Sequence, residues 1–112
     1  MGLKEKLLKA KPQLTEAKLG GHKVWIRGLT ANEALQLSKT FEEQDTNSAD
    51  VAFEVNLWVC VRCLCNEDGD RIFADDEAKL LGQFEVGQLK DIAERCMEAS
   101  VPSGDEKVQI KN

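Results

Sequence analysis

The segment VAFEVNLWVCVRCLC, residues 51–65, decides the fold of this chain. Its only strongly polar side chains are Glu54, Asn56 and Arg62, and these three do not share one face at a helical period. A helix that is apolar nearly all round is usually buried or held by a partner. Fifteen residues at ~1.5 Å each give a rod of roughly 22 Å, enough to cross a small domain. The segment is therefore predicted to be the central helix, with the other elements packed against it.

A strand is the competing interpretation of the same segment. Valine and leucine alternate with other residues over 55–62, and valine favours strands. Buried strands run about 4 to 8 residues, however, and this segment is longer. Its entry also favours a helix, because Ser48 can act as an N-cap and Asp50 places negative charge in the first turn. We therefore predict a helix over residues 51–65.

Length and composition predict one globular domain. The chain has 112 residues, of which 42% are hydrophobic and 31% charged. Its net charge of −5 argues against nucleic-acid binding, which needs a basic surface. Residues 2–11 carry four lysines against one glutamate, a net +3, which leaves −8 on the remainder.

The chain is expected to be cytoplasmic and not to bind membranes. No segment approaches the ~18 apolar residues that a membrane span requires, and the N-terminus has no apolar signal-peptide region. In the cytoplasm the four cysteines are expected to be thiols rather than disulfides.

A β-hairpin and a capped helix are predicted before the central helix. Extended segments flank Gly20-Gly21, the dipeptide that a tight hairpin turn requires. In the second strand Val24 and Ile26 would face one side, and Lys23, Trp25 and Arg27 the other. Thr30-Ala-Asn-Glu33 is a capping box, and the helix it opens would bury Ala34, Leu37 and Phe41.

After Cys65 the pattern predicts a turn at Asp68-Gly69, a short helix capped by Asp75, and a final helix over residues 85–99. The apolar side of that last helix comprises Val86, Leu89, Ile92, Ala93, Cys96 and Met97. The predicted fold is α+β and predominantly helical, with an N-terminal β-hairpin packed on a bundle of about four helices. Residues 1–12 would form a basic arm, 13–100 a single globular domain, and 101–112 a disordered tail.

The cysteines are the first candidates for chemistry. Cys60 and Cys63 form a C-x-x-C pair, with Cys65 close by and Cys96 distant in sequence. Structural zinc sites usually take such pairs from turns, and redox pairs lie at helix N-termini, whereas this pair lies near a helix C-terminus. Core packing is favoured, and a metal-binding or thiol-redox module built on all four cysteines is the alternative.

No catalytic, cofactor or metal site is predicted. His22 is the only histidine, and no nucleophile–base constellation or phosphate-binding loop can be assembled from the sequence. The remaining signal is a surface. If Phe53, Leu57, Cys60 and Leu64 face the core, the opposite side of the helix is either covered by the hairpin or docks a partner. The candidate protein-binding residues are Trp25, Arg27, Val51, Glu54, Val55, Trp58 and Arg62.

Several blocks of the chain, in order, resemble the tail assembly chaperones of long-tailed bacteriophages. The blocks are LKEKLLKAKP, KVWIRGLTANEA and CNEDGDRIFADDEAKLLGQF, followed by an amphipathic helix, and together they span about residues 3–99. The most specific parts are V-x-I/V-R-x-L-T-A-x-E at 24–33 and the D-x-x-G-x-x-x-F turn that ends at Phe73, whose first position is Asn66 in this chain. The cysteine-rich central segment departs from the family pattern.

The resemblance implies a non-enzymatic role in the host bacterial cytoplasm. Such chaperones bind the tape measure protein, keep it soluble, help recruit tail tube subunits and leave before the virion is complete. Self-association is a further possibility. In many relatives a ribosomal frameshift appends a second domain to a minority of copies. A structural subunit retained in the tail is the alternative within the same setting.

Overall fold

The computed structural model describes residues 2–9, 13–45 and 47–100. Within these ranges the chain forms an α+β fold that is predominantly helical, as predicted. The elements in order are α1 (Leu3–Leu8), β1 (Thr15–Leu19), β2 (His22–Ile26), α2 (Ala31–Thr40), α3 (Ala49–Cys63), β3 (Leu64–Cys65), a 3-10 turn (Asp75–Glu77), α4 (Ala78–Leu81) and α5 (Val86–Ala99). The tail predicted over 101–112 lies outside the described residues, as do residues 10–12 of the predicted arm.

The β1–β2 hairpin is confirmed. Gly20 and Gly21 have φ angles of 61° and 82°, the positive values of a type I′ turn. The strands pair in register from Thr15↔Ile26 to Leu19↔His22. The inward side of the hairpin buries Ala17, Leu19, Val24 and Ile26 in the core.

The central helix is present, but its predicted C-terminal end is wrong. α3 ends at Cys63, and the next two residues form β3, which pairs antiparallel with β2. The pairs are Trp25↔Cys65 and Ile26↔Leu64. An apolar run that is buried on every side satisfies either a helix or a strand, so periodicity alone does not reveal where one becomes the other.

The rotation of α3 also differs from the prediction. Val59, Cys60, Val61 and Cys63 are all buried, so the C-terminal half of α3 lies within the core except on the side of Trp58 and Arg62, which are partly exposed. In the N-terminal half Phe53, predicted to be buried, is 46% exposed, whereas Val51, predicted to lie on the open side, is buried. A helix that is apolar nearly all round carries little information about which side faces the core.

The helix α5 confirms the predicted position and most of the predicted face. Leu89, Ile92, Ala93 and Cys96 are buried against α3 and the sheet. The exceptions lie at the two ends of the helix, where Val86 is 53% and Met97 40% exposed. No helix among the described residues is both long and apolar enough to cross a membrane.

The turn after β3 is confirmed, with one change in the element that follows it. The Asn66 side chain accepts hydrogen bonds from the backbone N–H groups of Asp68 and Asp70, and Arg71 then bridges back to Cys65. The predicted N-cap at Asp75 is wrong. The 3-10 turn begins after Ala74, whose N–H donates to Glu77, because the Asp75 carboxylate is bound by Arg71 instead.

The predicted inward face of α2 is confirmed in part. Leu37 packs against the core and Phe41 is half-buried, but Ala34 is exposed and no residue of α2 is fully buried.

The prediction that all four cysteines are free thiols is wrong. Cys63 and Cys96 form a disulfide that joins the end of α3 to the last turn of α5, with their Cα atoms 6.3 Å apart. Cys60 and Cys65 are free and buried. The bonded pair is 33 residues apart in sequence, so only the packing of α3 on α5 reveals it.

The disulfide predicts a thiol count. Denatured without reductant, the protein should expose two reactive thiols per chain, and four after reduction. In the folded protein at pH 8, Cys60 should resist alkylation, because burial raises the pKa of its thiol to about 12. Mass spectrometry after iodoacetamide treatment measures each number.

The matched control for this count is Cys60→Ala, which should lower the unreduced count from two to one. Four reactive thiols in unreduced, denatured wild-type protein would contradict the Cys63–Cys96 bond.

Candidate protein-interaction surface

Arg27 was predicted to lie on a docking surface, and the structure places it elsewhere. Its guanidinium is buried and makes two parallel hydrogen bonds of 2.8 Å to the carboxylate of Glu33. One of its nitrogens also donates to the Gly28 carbonyl at 2.9 Å. Because its donors are held within the chain, the prediction that Arg27 is available to a partner is wrong.

Glu33 also completes the predicted capping box of α2. Its carboxylate accepts the Thr30 backbone N–H at 3.0 Å, and the Thr30 hydroxyl accepts the Glu33 N–H at 3.2 Å. Burial by itself raises the pKa of Glu33, but the hydrogen bonds from Arg27 and Thr30 outweigh it and hold that pKa below its ordinary value. The hydrogen bond to Glu33 raises the pKa of Arg27 in turn. Arg27 and Glu33 thus tie the start of α2 to the end of β2.

The residues between Arg27 and Thr30 pack on the end of α5. A Cβ atom at Gly28 would lie 2.9 Å from the Ala99 carbonyl oxygen, so this approach requires glycine. The Leu29 N–H donates to the Ser100 hydroxyl at 2.7 Å, and that hydroxyl donates to the Cys96 carbonyl. The most specific motif of the sequence is therefore accounted for by contacts that hold the fold together.

Trp25 lies on the outer face of the sheet and is partly exposed. Its cross-strand neighbours are Glu16 on β1 and Cys65 on β3. Beside it, Lys23 and Glu16 form an ion pair at 2.9 Å, but both side chains are more than half exposed. Such a pair contributes little to stability. Trp25 remains an accessible aromatic residue on a charged face.

Trp58 and Arg62 form an internal brace. The Arg62 guanidinium stacks 3.6 Å from the centre of the Trp58 ring and also donates to the Trp58 carbonyl. It lies 3.6 Å from the carboxylate of Asp75, which Arg71 binds as well. The hydrogen bond from Arg71 lowers the pKa of Asp75, and burial lowers the pKa of Arg62. This network holds the 3-10 turn against α3.

The seven predicted residues consequently do not form one surface. Arg27 and Val51 are buried, and Trp58 and Arg62 brace the fold. Glu54 is exposed, and Val55 is partly exposed on α3. Of the seven, Val55 alone lines a further apolar surface that the sequence did not reveal.

That surface comprises three neighbouring depressions around α3. The central one shares Val55 with a depression against α2 and Asn56 with a depression against the start of α5. We call it the α3 groove. Its more exposed apolar residues are Leu37, Phe41, Phe53, Val55, Leu57, Phe84, Val86 and Met97. Phe53 and Leu57, which lie one helical turn apart in this groove, are two of those that the sequence predicts to face the core.

The α3 groove has a distinct charge and size. Its charged residues are Glu42, Glu94 and Glu98, and no lysine or arginine occurs among the described residues that line it. The cavity bounded by Phe53, Leu57, Phe84 and Val86 measures about 160 Å³. Small-molecule sites usually measure about 300 to 1,000 Å³, so this cavity suits one large apolar side chain.

Two other candidates offer no comparable site. A wide depression lies between β1 and α5, but four of its charged residues are already paired, Lys23 with Glu16 and Arg95 with Asp91. The four-cysteine metal site is wrong, because two of its sulfurs are bonded to each other.

The other two thiols donate to backbone carbonyls, Cys60 to Leu89 and Cys65 to Trp25. Across the part of the chain that the structure describes, no group of three or more metal-ligating side chains is found.

Comparisons with known proteins return no match. No family model matches the chain, and neither the curated proteins nor the solved structures contain a significantly similar one.

The Arg27–Glu33 pair predicts acid-dependent stability. Glu33→Gln should lower the free energy of unfolding at pH 7 by about 2 kcal/mol, because it leaves a buried guanidinium without its charged partner. A carboxylate with a lowered folded-state pKa stabilises above its unfolded value, near 4.5, and loses that contribution as the pH falls through the folded value. The difference between variant and wild type should therefore shrink between about pH 5 and pH 3. Urea unfolding followed by circular dichroism measures it.

The matched control is Glu16→Gln, which removes the exposed pair with Lys23 and should cost less than about 0.5 kcal/mol. A cost at Glu33 no greater than this, or one that does not change with pH, would contradict the assigned role of the pair.

Proposed function

We propose that this protein is a tail assembly chaperone of a long-tailed bacteriophage. In the host cytoplasm it would bind the tape measure protein, keep it soluble, help recruit tail tube subunits and leave before the virion is complete. The order and spacing of sequence blocks over about residues 3–99 support this proposal. The structural observation that carries it is the α3 groove, an open apolar surface on an otherwise acidic domain.

The exposure of the α3 groove favours a protein partner. Phe53, Val86 and Met97 are 46%, 53% and 40% exposed, although the domain has a well-packed core elsewhere. Monomeric proteins rarely leave apolar side chains clustered on one surface unless that surface binds something. A client whose apolar helical stretches would aggregate alone is the kind of partner that such a surface can mask.

The shape of the groove favours a helical client segment. An amphipathic helix presents anchors at i, i+3 or i+4, and i+7, which can enter successive depressions of a groove. The three depressions share lining residues of α3, and the one lined by Phe53 and Val86 has about the volume of a single large side chain. We therefore propose that a client helix lies along α3, with leucine- or phenylalanine-sized residues as its anchors.

The charge of the groove favours a client helix flanked by lysine or arginine. Glu94 and Glu98 line the central depression, and Glu42 lines the one against α2. Basic residues at the edge of a docked helix would meet these carboxylates, and such complementarity chiefly sets specificity and association rate. The net −8 outside residues 2–11 also keeps the chaperone, and a client bound to it, in solution.

Co-expression with the tape measure protein tests the groove. The variant Phe53→Ser/Val86→Ser removes two exposed anchors, and we expect recovery of the tape measure protein on the tagged chain to fall at least about tenfold. Circular dichroism and the melting temperature should change little, because both side chains are substantially exposed. Quantitative immunoblotting of the eluate measures the loss.

The matched control is Ile72→Ser, since Ile72 is 44% exposed and does not line the groove. A second variant, Trp25→Ala, tests the outer face of the sheet. Undiminished recovery with the groove variant, or equal loss with Ile72→Ser, would exclude the α3 groove as the client site.

Departure before completion of the virion is a separate prediction. Mass spectrometry of purified phage particles should detect the tail tube protein but not this chain. Its presence at a fixed stoichiometry would favour a structural tail subunit over a chaperone.

A further inference from the structure

The N-terminal helix α1 presents apolar side chains to solvent. Leu3, Leu7 and Leu8 are 72%, 65% and 77% exposed, and none of the six residues of α1 is buried. Leu3 and Leu7 lie one helical turn apart, so they share a face, and Leu8 adjoins Leu7. Six residues are too few for a helix that is stable in water without packing. The leucines of α1 therefore indicate a helix that becomes stable when it docks.

The chemistry of α1 is complementary to that of the α3 groove. Lys4 and Lys6 lie on α1, within a segment of net charge +3. The groove is apolar, and its charged residues are glutamates. Leucine is also the size of residue that the cavity beside Phe53 and Leu57 can take. A basic helix with exposed leucines and an acidic groove for apolar side chains occur in the same chain.

We propose that the α1 helix of a second copy of this chain occupies the α3 groove, and that the exchange is reciprocal in a two-fold dimer. Within one chain α1 leaves its leucines exposed while Phe53 and Val86 remain open, so a single copy in this conformation satisfies neither surface. Exchange of identical segments between copies satisfies both. Each dimer then contains two arm–groove contacts related by symmetry.

Charge decides how the two copies approach. In each copy, the arm carries a net charge of +3 over residues 2–11, and the rest of the chain carries −8. The negative parts of two copies repel one another, whereas the arm of each copy is attracted to the negative part of the other. This attraction is screened by salt, but burial of the leucines is not. Raising the salt concentration should therefore weaken dimerisation without abolishing it. A client helix of the same chemistry would compete with α1, so the dimer would be the form that awaits its client.

Sedimentation equilibrium tests the proposal on the full chain. Wild type should show a concentration-dependent mass that rises toward twice that of one chain. Leu3→Gln/Leu7→Gln removes the arm anchors while keeping residues that favour helix, and the groove variant Phe53→Ser/Val86→Ser removes the acceptor. Each should weaken dimerisation at least about tenfold, whereas Ile72→Ser should leave it unchanged.

Mixing the two defective variants distinguishes exchange between copies from docking within one chain. The variant Leu3→Gln/Leu7→Gln keeps an intact α3 groove, and the variant Phe53→Ser/Val86→Ser keeps an intact α1. The mixture should therefore regain dimers, each held by one contact between α1 of one copy and the groove of the other. Docking within one chain gives no such rescue.

A constant single-chain mass, a dimer unaffected by both variants, or failure of the mixture to dimerise would each overturn the proposal. So would binding of the arm to vesicles of anionic lipid in place of dimerisation. The proposal uses the same groove as the client but does not depend on the identity of that client. A monomer that still recovers the tape measure protein would therefore overturn this inference alone, whereas a dimer that recovers none would overturn the proposed function alone.

Discussion

The backbone pairing between β2 and β3 is the constraint on which the rest of the structure depends. Leu64 and Cys65 follow α3 directly and pair with Ile26 and Trp25, while the Arg27 N–H donates to the Cys63 carbonyl at 3.1 Å. The helix is thereby fixed to the middle strand of the sheet at its C-terminal end. One core cluster then gathers the hairpin, the C-terminal half of α3 and α5.

This one-sided attachment explains why the α3 groove exists. The C-terminal half of α3 is surrounded by the sheet, α5 and the brace that Arg62 and Asp75 provide. In its N-terminal half Phe53 reaches the surface, whereas Val51 is buried and Val55 packs against the core. The N-terminal half of α3 also carries Asp50, Glu54 and Asn56, so both its composition and the place where the helix is held account for its greater exposure.

The sequence predicts best where a single local rule decides the structure. The diglycine specifies the hairpin turn, the Thr30–Glu33 spacing specifies the capping box, and the single apolar face of α5 specifies its orientation. The sequence predicts poorly where contacting residues are far apart in the chain, or where a helix has apolar residues on nearly every side. The rotation of α3 and the strand after it follow from tertiary contacts.

The bond between Cys63 and Cys96 likewise follows from tertiary contacts. In the candidate site, the alternation of residues in β2 places Arg27 on the open face of the sheet. Its bidentate contact with Glu33 is not predictable from that alternation, because the contact depends on the path of the turn between the two residues.

The residues of the 24–33 motif and those of the α3 groove have different structural roles. Within the 24–33 motif, Arg27, Thr30 and Glu33 contact one another, and Gly28 contacts the end of α5. These side chains stabilise the fold. The α3 groove instead consists largely of apolar residues of α3 and α5, which matter there for their size and exposure.

The hydrogen bond between the Leu29 N–H and the Ser100 hydroxyl joins two parts of the chain that are 71 residues apart. Ser100 follows the last turn of α5, yet it sits beside the connection between β2 and α2. Because the same hydroxyl also donates to the Cys96 carbonyl, one side chain holds the last turn of α5 against the segment that leads into the capping box.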